Sequence, residues 1–144
     1  MAPLTSRVCN YLERLYGDGT TVTVEHDGGR FSLLTLSRRG VGDATFGSAQ
    51  LSAGAKEQAA AAFRLAMAEV LTEDYDGYLS VVFDGALVNS DADRQRALQR
   101  LLDLAASRGL QVIVLASRPE SYATLGVAIV TLEANPYVVG EPDG

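Results

Sequence analysis

Three consecutive pieces decide how this chain reads: Leu51-Ser52-Ala53-Gly54-Ala55-Lys56-Glu57-Gln58, the alanine-rich run that follows it to Leu71, and the segment Tyr78-Leu79-Ser80-Val81-Val82-Phe83-Asp84-Gly85. Ser52 stands where a side chain caps a helix, and the small residues Ala53, Gly54 and Ala55 leave the first-turn N–H groups open to close approach. Such a helix end attracts anions, phosphate above all. Residues 79–83 are apolar and valine-rich, the pattern of an interior strand with helices on both sides. Asp84 then falls at that strand's carboxyl edge, where open α/β sheets bind ligands. Each piece alone is common, since an Asp-Gly after a strand serves as a turn and a serine cap serves only its helix. Their succession is what points to a nucleotide site.

In that succession the chain resembles the second half of the nucleotide-binding head of ABC-type ATPases, in the branch of the SMC proteins and the double-strand-break repair ATPases with long coiled coils. Leu51-Ser52-Ala53-Gly54 looks like the family's LSGG signature, and Ala62-Phe63-Arg64-Leu65-Ala66-Met67 is similar to the helix behind it in the repair branch. Val81-Val82-Phe83-Asp84 resembles a Walker B strand, and Val88-Asn89-Ser90-Asp91 falls where the D-loop is expected. Gln111-Val112-Ile113-Val114-Leu115-Ala116-Ser117-Arg118 resembles the strand leading to the switch histidine. Together these cover most of residues 51–132.

The resemblance implies ATP and Mg²⁺ as cofactors. Ser52 and the N–H groups near Gly54 would touch the γ-phosphate of ATP held by an opposing lobe, with Ala53 and Gln58 also on the cofactor-binding side; Asp84, the catalytic carboxylate, would hold Mg²⁺ through water, and Asp91 would communicate across the interface. Three departures limit it. The family's catalytic glutamate is Gly85 here, the switch histidine is Arg118, and no G-x-x-x-x-G-K-[ST] occurs to cradle phosphates. The implied protein is therefore half of a head. It contributes signature and Walker B elements to an ATP site completed in trans by a Walker A-bearing lobe, from the same gene upstream or a separate chain. The expected assembly is a head-to-head dimer, reaching a nuclease or DNA only through the full complex, with weak or no hydrolysis.

Two other readings compete. A non-catalytic docking module that keeps the ATPase-lobe fold accounts for Gly85 and Arg118. The segment Phe83-Asp84-Gly85-Ala86-Leu87-Val88 also looks like the first motif of haloacid-dehalogenase-type phosphohydrolases, but Gly85 follows the aspartate directly and the second acid is missing.

Composition sets outer bounds. A length of 144 residues predicts one domain, and a hydrophobic fraction of 47% with 21% charged residues is that of a globular protein. No apolar run is long enough to span a bilayer and no basic-then-apolar leader opens the chain, so the expected location is the cytoplasm. Cys9 is the single cysteine and has no partner for an internal disulfide, as in a reducing compartment. The net charge of −6 argues against a free-standing nucleic-acid binder, with Arg38 and Arg39 the nearest candidates for a local basic patch.

The fold class predicted is α/β: a mostly parallel sheet with flanking helices, preceded by an N-terminal helix and a β-hairpin. The single domain divides into residues 1–19, a helix resembling the end of a coiled coil; 20–50, hairpin and loop; 51–134, the signature-to-switch lobe; and 135–144, a surface tail. Leu4, Val8, Tyr11, Leu12 and Leu15 recur at helical spacing, so residues 5–16 form an amphipathic helix ended by Gly17-Asp18-Gly19. Residues 20–25 and 30–37 are strand-like around Asp27-Gly28-Gly29, and His26 beside that turn has no neighbours spaced for a metal site. Residues 40–50 read as a loop. In the helix after Ser52, Phe63, Met67, Val70 and Leu71 share a face assigned to the core. Leu98, Leu101, Leu102 and Ala105 mark the next helix, with Asp91 and Asp93 near its start, where the helix dipole favours negative charge. Gly109 stops it, residues 111–116 form an interior strand, Pro119 opens a short helix, and residues 127–132 make a last strand.

Overall fold

The structure is a computed structural model, and it describes residues 2–27, 30–40, 42–45, 51–74, 79–85 and 91–133. Helix α1 (Ala2–Tyr16) buries Leu4, Val8, Tyr11 and Leu12, the face its spacing predicts. It ends where Gly17 takes φ 91° and donates its N–H to Glu13 O at 2.8 Å. Strands β1 (Thr21–Asp27) and β2 (Arg30–Arg38) pair antiparallel, as the hairpin pattern requires; the turn glycines Gly28 and Gly29 lie outside the described residues. A third strand, β3 (Gly42–Thr45), pairs antiparallel with residues 35–38 of β2. It lies inside the stretch expected to be a loop. Gly-Asp-Ala-Thr carries little strand propensity of its own, and the free edge of β2 supplies the pairing.

Helix α2 (Ala53–Asp74) corrects the expected core face. Its buried positions are Gln58, Ala59, Ala61, Ala62, Leu65, Ala66, Ala68 and Glu69, while Phe63, Met67 and Val70 are only half-buried and Leu71 is exposed. The alanines allow close packing on several sides at once, against α1, strand β4 (Ser80–Asp84) and helix α3 (Ala92–Ser107). Leu12, Leu65, Leu98 and Leu101 are almost completely buried, and burial of each contributes roughly 1.5–3 kcal/mol.

Strand β4, helix α3 and strand β5 (Gln111–Leu115) form a βαβ unit whose strands pair in parallel, with Asp84 opposite Leu115. The expected mostly parallel sheet is not what forms: among the described residues there are a three-stranded antiparallel sheet, β1-β2-β3, and a two-stranded parallel one, β4-β5. Residues 127–132, expected to add a strand, join no sheet and are exposed, whereas the 3-10 turn at Pro119–Leu125 agrees with the helix expected there. A second correction concerns β4 and β5. Val81 and Phe83 point into the core against α2, but Val82 (49% exposed), Ile113 (39%) and Leu115 (43%) face outward. The apolar run predicts cover on both faces; described residues cover one.

Candidate functional site

Ser52 caps α2. Its Oγ accepts from the Ala55 N–H at 3.2 Å and its carbonyl from Lys56 N–H at 3.0 Å, which fixes the direction of the helix's first turn. Asp91 caps α3 in the same manner, accepting from Arg94 N–H at 2.9 Å. The fold brings these two helix starts together, although they are separated by about forty residues of chain.

Arg94 joins them. Its guanidinium lies against the Cα of Gly54, so closely that a Cβ there would sit 2.8 Å from Arg94 Cζ. Nη2 donates to Ser52 Oγ at 3.4 Å, and Nε lies 3.4 Å from Asp91 Oδ2. Only glycine leaves room for that side chain without a shift. Three of the residues singled out in sequence, Ser52, Gly54 and Asp91, are thus gathered around one arginine that belongs to none of the sequence motifs.

Behind them stands Tyr16. Its hydroxyl donates toward Ala55 O at 3.3 Å and Gln58 Oε1 at 3.2 Å, so Gln58 is buried and engaged with the end of α1. Arg38, at the end of β2, stacks over the Tyr16 ring at 5.2 Å. Its Nε is buried and has no hydrogen-bond partner among the described residues. Burial pushes the Tyr16 phenol up, and the positive charges of Arg38 and Arg94 pull it the other way. Two cations therefore bear on the start of α2.

Asp84 is exposed at the carboxyl end of β4. Gly85 after it takes φ 60°, and its N–H is held by Leu115 O at 3.1 Å, so the chain turns sharply there. Arg118 is exposed at the start of the 3-10 turn, beyond the end of β5. The D-loop residues Val88, Asn89 and Ser90 lie outside the described residues, as do Ala86 and Leu87 of the phosphohydrolase-like motif. No group of three or more His, Cys, Asp or Glu side chains is placed to hold a metal among the described residues. The His26 side chain lies outside them.

Toward the opposite end of α2, about 25 Å along the helix from Ser52, is a different cluster. Glu69 is buried and accepts from Arg7 at 2.7 Å, from Arg108 at 3.2 Å and from the Tyr11 hydroxyl, while Arg7 also pairs with Glu73. Burial alone would raise the Glu69 carboxyl, but these three donors hold it below the usual range. Burial, reinforced by Glu69, pushes the Tyr11 phenol far up. An open cleft of about 490 Å³ adjoins the cluster. Its ion pairs are internally satisfied and tie α1, α2 and α3 together, which is a structural role.

The solved structures agree on the fold, which is that of SMC ATPase heads. A chain from a structural study of ATP-driven dimerisation and DNA-stimulated activation of SMC ATPases matches with a TM-score of 0.69 and 16% identity, over 95% of this chain and 80% of that one. The Smc head domain with an extended coiled coil, solved bound to the C-terminal domain of ScpA from Pyrococcus furiosus, matches with a TM-score of 0.62 and 15% identity, over 85% of this chain and 30% of that one. The same fold thus makes up most of one chain and under a third of another. No protein family matches the sequence, and no curated protein is similar to it.

Proposed function

We propose that this chain is the signature-bearing lobe of an SMC-like ATPase head, which completes an ATP site in trans with a lobe carrying the Walker A loop. The observation that carries the reading is the outward face of β4 and β5. Val82, Ile113 and Leu115 stand exposed on strands whose other face is packed core, in a fold otherwise matched by SMC heads. An apolar sheet face of this kind calls for a covering layer. A P-loop lobe seated there would extend the sheet core and bring phosphate toward the carboxyl end of β4.

Within that reading the missing Cβ of Gly54 leaves a space at the first turn of α2 that the Arg94 guanidinium fills, beside the Ser52 hydroxyl that caps the helix, and an incoming phosphate would meet these groups first. Mg²⁺ keeps most of its shell as water and ligand phosphate, so the single carboxylate of Asp84 suffices as this lobe's share. Asp91 would signal across the interface. Gly85 supplies no group to orient water, which makes hydrolysis weak or absent. That same observation favours the second reading, a docking module that keeps the lobe fold without turnover. DNA, and any role in chromosome segregation or repair, belongs to the assembled complex, because a chain of net charge −6 is a poor phosphate-backbone binder by itself.

The purified chain tests the half-site. Alone it should show no ATP turnover and no micromolar ATP affinity, by calorimetry and phosphate release, because no residues replace the phosphate cradle. Micromolar affinity with turnover at enzyme-like rates would sink the proposal.

A further inference from the structure

Arg94 is the residue at this surface that neither the sequence motifs nor the proposed function uses. We infer that Arg94 is the cation this lobe offers to the nucleotide's terminal phosphate, gripping it beside Ser52 and giving up Asp91 as it does so. The inference rests on the reading of Ser52 and Gly54 as a nucleotide-contacting loop.

The geometry carries it in three ways. First, the guanidinium covers Gly54, so a phosphate that reaches the first turn of α2 must either displace Arg94 or be held by it. Displacement of a cation by an anion runs against Coulomb attraction, and a guanidinium presents a fork of donors suited to phosphate oxygens. Second, Arg94 is loosely held. Its contacts to Ser52 Oγ and Asp91 Oδ2 are both 3.4 Å, and its side chain is 40% exposed. An exposed pair of that kind contributes little and is readily exchanged for a multiply charged ligand. Third, two arginines converge there, and of the two only Arg94 has a carboxylate partner among the described residues. Arg38 stacks on the far side of Tyr16 with its buried Nε unpartnered among the described residues, and both arginines act on the same phenol at the positive end of α2. Among the described residues, Asp91 is the carboxylate paired with Arg94. When Arg94 turns to phosphate, Asp91 is released toward the opposing lobe, so one side chain couples nucleotide arrival to the α3 start.

The test is a titration of the ¹⁵N-labelled 144-residue chain with ATP, and separately with AMP, at constant ionic strength, following backbone amides and arginine Nε–H signals by NMR. Weak, saturable shifts are expected at Ser52, Gly54 and Arg94 Nε–H with ATP, and smaller ones with AMP. Arg94→Ala should weaken ATP binding about tenfold, the usual loss for one charge-assisted hydrogen bond, and Arg94→Lys by less. The alanine variant keeps its fold, because Asp91 caps α3 through the backbone N–H of residue 94, which alanine retains. Unchanged affinity in Arg94→Ala, with shifts still at Ser52 and Gly54, overturns the role of Arg94 and leaves the loop reading standing. Absence of shifts at Ser52 and Gly54 in every variant overturns the loop reading and this inference with it.

Discussion

At Gly85 the backbone takes φ 60° and the N–H is committed to Leu115 O, so the position has a structural use as well as a missing catalytic one. Glutamate there meets the left-handed penalty of about 1 kcal/mol, and Gly85→Glu should lower the melting temperature accordingly. In a complex with a Walker A lobe the same variant should raise ATP hydrolysis by roughly 10²–10⁴-fold, the worth of a positioned general base, with Arg118 at the switch position limiting the gain. Lower stability without any gain in rate, in a complex that binds ATP, assigns Gly85 to the turn alone and favours the docking module. Local signals were legible at this scale. Ser52 and Asp91 are caps because each is a short polar residue directly before a helix, and both do cap. Arg94 was not legible, because its contact with Gly54 depends on two helix starts meeting in three dimensions.

Among the elements, α1 and α3 could be read from periodicity because each buries one face. The core face of α2 could not. A helix packed by α1, α3 and β4 keeps only a narrow solvent stripe, through Glu57, Ala60, Arg64 and Leu71, and alanine and leucine on that stripe hide it from the sequence pattern, so its alanines stand at the centre and Phe63 and Met67 are half-buried. Glu69 escaped notice for the same reason: a glutamate in an alanine-rich helix looks solvated, yet it anchors three helices. Its lowered pKa means that its contribution is full above roughly pH 4.3, the range of a free glutamate, and is lost as pH falls below that. Tyr11, raised, contributes fully below roughly pH 10 and its share is lost as pH climbs higher. Urea midpoints measured across pH should therefore decline at both ends. Glu69→Gln should cost about 1–2 kcal/mol at neutral pH and make the acid-side decline shallower. An unaltered acid limb would show that the Glu69 cluster does not govern it.

For the whole molecule, the order of elements and the βαβ unit followed from alternating helical and apolar segments, and the observed fold matches SMC heads. The extent of the parallel sheet did not follow, since periodicity tells an apolar strand from a polar one but not how many neighbours it finds. Residues 127–132 have the composition of a strand and, among the described residues, no strand to pair with. The open face of β4 and β5 is the consequence that bears on function. Val82→Glu and Ile113→Lys place charge on exposed positions, so each should leave the fold within about 0.5 kcal/mol of the parent while removing the surface for a covering lobe.

That sets the decisive measurement: affinity purification of the chain from cells that make it, with and without ATP, and sequencing of what is retained by the parent, Val82→Glu and Ser52→Arg proteins. Ser52→Arg loses its cap at a cost of about 1 kcal/mol and remains folded. The account predicts a partner carrying G-x-x-x-x-G-K-[ST], retained by the parent, lost with Val82→Glu, and losing its ATP-dependent enrichment with Ser52→Arg. Partners without that loop, retained equally by all three proteins whether or not ATP is present, would contradict it.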